Sequence, residues 1–323
     1  MAPALASPVT SEGRKPHTMP VTLTSQFSGS PVRPRQVLYY LLATFGVTSL
    51  FAIVSIVFTL QSRIENKKAE TRIVAQGYAQ RIQEQLQNAF VSTYVLGFVV
   101  RQAGGVATNF EETAAELMTV FPSVSALQLA PDGVIRHSFP LTGNEAAIGH
   151  DLLADKQRNR EAVAAITMRQ LTLAGPFDLI QGGVGAVGRL PIFLTGENKE
   201  SYFWGFANAL VRIPRLLESA GLSGLGRAGY HYELWRIHPD TEVRHIFSRN
   251  SDQVLDTPVE YVVTIYGGRW ILSVSPERGW IGESDVPQIL IASVVAVLLL
   301  TLLQYLCIRL FLTRMRPALG DAN

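Results

Sequence analysis

A chain of 323 residues with a formal net charge of +2 has room for about two domains, and its 17% of charged residues falls below the usual quarter of a soluble domain. The missing charge has an address: no Asp, Glu, Lys or Arg occurs from Val37 to Leu60 or from Val286 to Cys307. Between those runs lie 21 basic and 24 acidic residues, a balance that excludes an electrostatic footprint for nucleic acid, and the single cysteine, Cys307, excludes an internal disulfide.

Residues 1–36 are rich in Pro, Ser and Thr without apolar periodicity and read as a disordered cytoplasmic tail. Segments 37–60 and 286–308 are each predicted to cross a membrane, since about 20 apolar residues rising ~1.5 Å apiece span the ~30 Å hydrocarbon core. No small-x-small cleavage site follows Leu60, so the first is read as an uncleaved anchor. Arg14, Lys15, Arg33 and Arg35 precede it, and Arg309, Arg314 and Arg316 follow the second. Basic flanks stay cytoplasmic. The expected topology is therefore a two-pass inner (plasma) membrane protein. Both termini, including the short tail 309–323, lie in the cytoplasm, and the intervening loop is periplasmic or extracellular. Thr44, Thr48, Ala52, Ser55 and Thr59 put small residues on one face of the first span, a surface suited to close helix approach.

Segment 61–105 lacks proline and reads as a stalk helix ended by Gly104-Gly105. Ala75, Ala79, Ile82, Leu86, Ala89, Thr93 and Leu96 recur at steps of 4 and 3, either a dimerising seam or the face that packs on the chain's own domain. Asn109 and Glu112 suggest a capped short helix to Val120. Strands are expected at Val124–Leu129 and Val134–Phe139 around the turn Pro131-Asp132-Gly133. A helix follows at Lys156–Met168, then strands at Leu171–Ala174, Leu179–Gln181, Gly188–Leu194 and Tyr202–Val211. Helix, strand pair, helix and antiparallel strands is the order of a PAS-like α+β sensor, so 106–228 is predicted as a membrane-distal domain. Leu216–Ala228 is a helical connector. Strands at Tyr230–Ile237, Glu242–Phe247, Glu260–Tyr266 and Arg269–Val274, the last two joined by a Gly267-Gly268 hairpin turn, assign 229–280 to a smaller membrane-proximal PAS-like domain beside the stalk. The fold class is thus α+β: a long stalk helix and tandem PAS-like domains flanked by two transmembrane helices.

Catalytic chemistry is not visible. Gly183-Val-Gly185-Ala-Val-Gly188 matches a dinucleotide fingerprint, but Pro191 follows where that fingerprint needs a helix. The six histidines include no H-x-x-x-H pair, no serine sits in a G-x-S-x-G context and no P-loop occurs. No cofactor, metal or enzymatic activity is expected.

One resemblance is specific. Ala126-Leu-Gln-Leu-Ala-Pro-Asp-Gly133, Gly143-Asn-Glu-Ala-Ala-Ile-Gly149, Asp151-Leu-Leu153, Gly175-Pro-Phe177, Gln181-Gly-Gly183, Gly188-Arg-Leu-Pro191, Phe203-Trp-Gly-Phe206 and Gly229-Tyr-His-Tyr-Glu-Leu234 occur in order. Together they resemble the CHASE domain, the extracytoplasmic sensor of membrane histidine kinases, diguanylate cyclases and plant cytokinin receptors. The resemblance implies a small-ligand sensor whose pocket strand corresponds to Pro176, Phe177, Asp178 and Leu179. It also makes adenine-like molecules reasonable first ligands to test, although cytokinin as ligand does not follow. From the residues themselves, Phe139, Phe177 and Leu179 offer walls and Asp178, Gln181 and Arg189 offer orienting groups. Alternation along a strand puts Asp178 and Leu179 on opposite faces, so one at most faces a pocket.

Receptors of this family usually continue past the second span into an output domain, whereas here only a short tail follows. The expected partners are therefore a small-molecule ligand, a second copy through the stalk and first span, and a separate cytoplasmic or membrane output protein. Two alternatives stand beside this reading: a non-sensing membrane protein that modulates a full-length receptor, and a receptor truncated before its kinase or cyclase.

Overall fold

The computed structural model describes residues 34–156, 159–282 and 284–315, so the expected tails before residue 34 and after residue 315 lie outside the described residues. The chain divides into two compact units. One contains the outer portions of two apolar helices, up to Leu50 and from Val297, and the other, Phe51–Ala296, contains every described strand.

The expected first span and stalk are one helix, α1 (Pro34–Gln102), and the last element is the helix α6 (Asp285–Met315). Both are long and apolar enough to cross a membrane, and their most apolar stretches are scarcely covered by protein. Thr44 and Thr59 donate their hydroxyls to carbonyls of their own helix (2.8 and 2.7 Å). These small-face polar groups are thus satisfied without a partner helix. Gly104 and Gly105 end α1 at positive φ, a conformation that glycine adopts without a Cβ penalty.

Between the helices lie α2 (Phe110–Val120), β1 (Ala126–Pro131), β2 (His137–Phe139), a 3-10 turn (Glu145–Ala147), α3 (Asn159–Met168), β3 (Thr172–Asp178), β4 (Val184–Thr195) and β5 (Ser201–Arg212). Two short helices, α4 (Ile213–Ser219) and α5 (Ser223–Arg227), lead to β6 (Tyr230–Ile237), β7 (Arg244–Arg249), β8 (Val259–Ile265) and β9 (Gly268–Pro276). The strands form two antiparallel sheets, ordered β2-β1-β5-β4-β3 and β7-β6-β9-β8.

Several local expectations shift. Asn109 precedes α2 but stands in the left-handed region without a side-chain capping bond, so the capping box does not form. The strand expected at Leu179–Gln181 is a turn, because Gly182 and Gly183 take positive φ and Leu179 N–H donates to Gly183 O (2.8 Å). The β8–β9 turn is Tyr266-Gly267 rather than Gly267-Gly268. Both turn residues have positive φ, as a two-residue type I′ turn requires, and Gly268 already pairs with Ile265.

Ala75, Ala79, Ile82, Leu86, Ala89, Thr93 and Leu96 are all buried, and the apolar members join the main core cluster with residues of both sheets. The seam is therefore spent inside the protomer and is not the dimer surface it was expected to offer. On the opposite face of α1, Val91, Tyr94, Val95 and Phe98 are exposed. Phe90 sits at the centre of the packing. Its ring lies where a Cβ on Gly188 would be 2.4 Å away, and 6.2 Å from the ring of Tyr266 on the β8–β9 turn. Glycine at 188 is what lets the helix lie this close to the five-stranded sheet.

Candidate functional site

Cross-strand register sorts the five-stranded sheet into rows. Residues directly opposite in antiparallel strands point to the same face. One row facing the stalk runs Phe139, Leu127, Ala209, Gly188, Leu173. The next row, on the other face, runs Ser138, Gln128, Asn208, Arg189, Thr172. All five of these polar residues are buried, Asn208 and Arg189 to within 2% of complete burial. On either side the same face is apolar: Ala130 and Phe206 pack with Ile135, Ala147 and Leu152, while Ala126, Leu210, Val187 and Ala174 pack with Leu179.

A polar row laid between two apolar clusters is the composition that ligand sites use to orient a small molecule. A cavity of about 40 Å³ sits over it, lined by Gln128, His150, Gln181, Arg189 and Asn208 together with Phe177, Leu179 and Leu210. Asn208 Oδ1 and Thr172 Oγ1 have no hydrogen-bond partner among the described residues, although both are buried. Leaving such groups unsatisfied costs roughly 1–3 kcal/mol each, so the fold keeps them at a price in stability.

The cover over this face is built from turns. Asp151 accepts amide hydrogens from Ala154 (3.0 Å) and Leu153 (2.9 Å), which fixes the 151–154 turn and holds its carboxyl below the ordinary carboxylate value. Gln181 Nε2 donates to Asn144 Oδ1 (3.2 Å), joining the β3–β4 turn to the loop before the 3-10 turn. Asn144 is itself buried and donates to Pro140 O (2.9 Å).

The candidate residues from the sequence separate into three groups. Phe177, Leu179, Gln181 and Arg189 line the cavity. Pro176 and Asp178, again with Phe177, line a larger cleft of about 460 Å³ beside Arg236, His238, Asp240 and His245. Leu179 is buried in the cavity wall and Asp178 is exposed on the other side, so the two do diverge. Phe139 is a correction: its register partner Leu127 faces the stalk, and Phe139 packs on the main core rather than on the cavity. Gln128, His150 and Asn208 were not singled out. Gln128 and Asn208 did carry a signal, each being a lone polar residue inside a small apolar run, Ala-Leu-Gln-Leu-Ala and Phe-Ala-Asn-Ala-Leu.

No group of three His, Cys, Asp or Glu residues able to hold a metal occurs among the described residues. His238 and His245 do meet in the cleft, their rings 6.3 Å apart. Burial, then the charges of Arg236 and His238, lower the pKa of His245 from 6.5, with Asp178 opposing. A histidine with a lowered folded value binds fewer protons than it does unfolded, so stability rises with pH across that window. The melting temperature is therefore expected to fall as pH drops from 6.5 through the folded value, and His245→Gln to flatten that fall. Scanning calorimetry between pH 5 and 7.5 reads it, and an unchanged slope in the variant would contradict it. Lys156, Arg160, Glu161 and Asp240 line the same cleft.

The model of the CHASE domain matches residues 60–244, more than half of the sequence and the whole of the cavity. The chain belongs to the CHASE domain family. A comparison with curated proteins returns no match. Among solved structures it is similar to an extracellular ligand-binding receptor from Desulfohalobium retbaense at 12% identity and a TM-score of 0.49, covering 64% of this chain and 40% of that one. It is also similar to the sensory domain of the Campylobacter jejuni chemoreceptor Tlp3, at 9% identity and a TM-score of 0.46, covering 68% and 97%. The ligand-binding domain of that chemoreceptor in complex with L-valine matches at 8% and 0.44, covering 68% and 96%. This CHASE chain thus combines a family-matched sensor region with two apolar helices at its ends.

Proposed function

We propose that this CHASE protein is a two-pass membrane sensor whose region between α1 and α6 faces the periplasm or cell exterior and binds a small polar molecule over the Gln128–Asn208–Arg189 row. The observation that carries this reading is the buried polar row itself, with the unpartnered Asn208 oxygen beside the cavity. The chemistry it selects is a compact ligand bearing an acceptor or anionic group for Arg189, a donor for Asn208 and flat or branched apolar flanks. Amino acids, small carboxylates and adenine derivatives all meet that description.

At about 40 Å³ the cavity holds little more than a water or two. Binding must therefore lift the cover, and the Gln181–Asn144 bond is the contact that has to yield. A ligand that prefers the open arrangement shifts the equilibrium by its differential affinity, which is the requirement for a signal. The two ends of the sensor region meet near the proposed membrane boundary. Arg63 pairs with Asp285 at the start of α6 (2.9 Å), and Lys67 donates to Gly279 O (2.9 Å). Movement of the second sheet relative to α1 would load these contacts, and a separate output partner would read the result.

The test is a thermal-shift screen of the full chain in lipid nanodiscs against amino acids, small carboxylates and adenine derivatives. A ligand at 100 times its Kd adds about 2.7 kcal/mol, which for a domain of this size is a rise of roughly 5–11 °C. A broad screen without any shift, or a shift that survives Asn208→Leu, would sink the proposal.

A further inference from the structure

The strand that walls the cavity is also the strand that the second sheet holds. β3 is the edge strand of the five-stranded sheet, and its pairing with β4 breaks between Ala174 and Phe177. The break turns Gly175 out of the ladder at φ +92. Its backbone groups then need other partners. Gly175 N–H donates to the Glu161 carboxylate on α3 (3.1 and 3.2 Å). Gly175 O accepts from Arg236 Nη1 on β6 (2.8 Å) and from the Trp270 indole on β9 (3.2 Å). Arg236 Nη1 also meets Glu161 Oε1 at 2.7 Å, so Gly175, Glu161 and Arg236 close a ring to which Trp270 adds a second donor on the Gly175 carbonyl. Two residues earlier, Leu173 N–H donates to Tyr266 O (3.1 Å), and a Cβ on Gly268 would stand 2.6 Å from the Leu173 side chain.

Arg236 and Trp270 are 6% and 1% exposed, and the contact between the Arg236 guanidinium and the Glu161 carboxylate is charge-assisted. Two residues beyond the clamped peptide, Phe177 enters the cavity wall, and Leu179 follows. We infer that Arg236, together with Trp270, is a positioning pair that holds β3 in its closed setting, so that opening the cavity and releasing the second sheet are one event. This rests on the cavity being the ligand site for its meaning, but the coupling itself is a property of the empty protein. β9 carries Trp270 toward α6, so release at Gly175 reaches the second apolar helix through the remaining six residues of strand (271–276) and a short turn containing Trp280. Trp280 is anchored by its own indole bond to Asp256 O (3.0 Å).

The test needs no ligand. In the full chain in nanodiscs, with Cys307→Ser as background, Val187→Cys places a reporter thiol in the cavity wall, and its rate of modification by a small methanethiosulfonate reads opening. Arg236→Met and Trp270→Phe are each expected to raise that rate about tenfold or more, the equivalent of losing one buried hydrogen bond to this carbonyl. Arg236→Lys, which keeps the charge and reaches one acceptor instead of two, falls between. Val259→Ala loosens the far end of the same sheet, where Val259 pairs with Val274, and is expected to leave the rate unchanged. Labelling at the parental rate in folded Trp270→Phe and Arg236→Lys would overturn the inference, and so would equal acceleration by Val259→Ala. If the screen finds no ligand while the clamp variants still accelerate labelling, the sensor reading fails and the coupling stands.

Discussion

Phe90→Ala is expected to lower the melting temperature of the full chain by roughly 6–20 °C, from a loss of about 3–5 kcal/mol. The size follows from where the ring sits. Phe90 is fully buried on α1, with Gly188 of the five-stranded sheet on one side and Tyr266 of the four-stranded sheet's turn on the other. Truncation opens a void among three elements that cannot all close on it, so the cavity term is added to the lost transfer energy. Gly188→Ala attacks the same contact from the other side. Its new methyl would lie 2.4 Å from the Phe90 ring, and overpacking of that kind costs about 1–3 kcal/mol.

The double variant decides whether this contact is what the numbers measure. In the Phe90→Ala background the methyl at 188 enters space that the ring has vacated, so Gly188→Ala becomes neutral or stabilising there. The double-mutant cycle is expected to show a coupling of about 1–3 kcal/mol in the direction of rescue. Additive losses, measured by denaturant or thermal unfolding, would mean that α1 is held to the sheet elsewhere.

What the sequence made legible here is what short-range pattern can carry. The steps of 4 and 3 from Ala75 to Leu96 identified the buried face of α1, because side-chain periodicity on a helix depends only on local geometry. Whether that face met a second copy or its own sheets was a tertiary question, and the sheets took it. β6 was bounded correctly by its own residues, Tyr230 to Ile237. The β8–β9 turn was displaced by one residue because Tyr266 accepts a positive φ that its side chain does not advertise. Phe139 was assigned to the wrong wall for a related reason: a strand shows two faces, and only its register with Leu127 on β1 says which one meets the stalk. The polar row is the extreme case. Gln128, Asn208 and Arg189 lie on three different strands, β1 far in sequence from the β4–β5 hairpin, and no local period relates them. Each is visible alone as an odd polar residue in an apolar run, but their alignment exists only in the ladder.

That alignment supports the second large effect. Asn208→Leu is expected to make the ligand-free protein more stable by about 1–3 kcal/mol while lowering ligand affinity at least about 100-fold. The two changes have one cause. Asn208 Oδ1 is buried without a partner among the described residues, so the empty protein bears a desolvation cost that an apolar side chain removes. The cavity beside it gives leucine's extra volume somewhere to go. A ligand that satisfies the oxygen recovers the cost on binding, and the leucine variant forfeits that recovery and fills part of the space. Thr172→Val separates the two effects. Thr172 also has an unpartnered buried oxygen, but it stands at the end of the row, outside the cavity lining. Its isosteric replacement should raise the melting temperature without changing affinity for whichever ligand the screen identifies. If Asn208→Leu destabilises the empty protein while Thr172→Val stabilises it, Asn208 is a structural member of the ladder. If Asn208→Leu stabilises and affinity is unchanged, the ligand lies elsewhere, and the cleft beside Asp178 and His245 becomes the site to test. Gain of stability with loss of binding is the result that a row kept for recognition predicts, because a row kept for folding has nothing to gain from losing its amide.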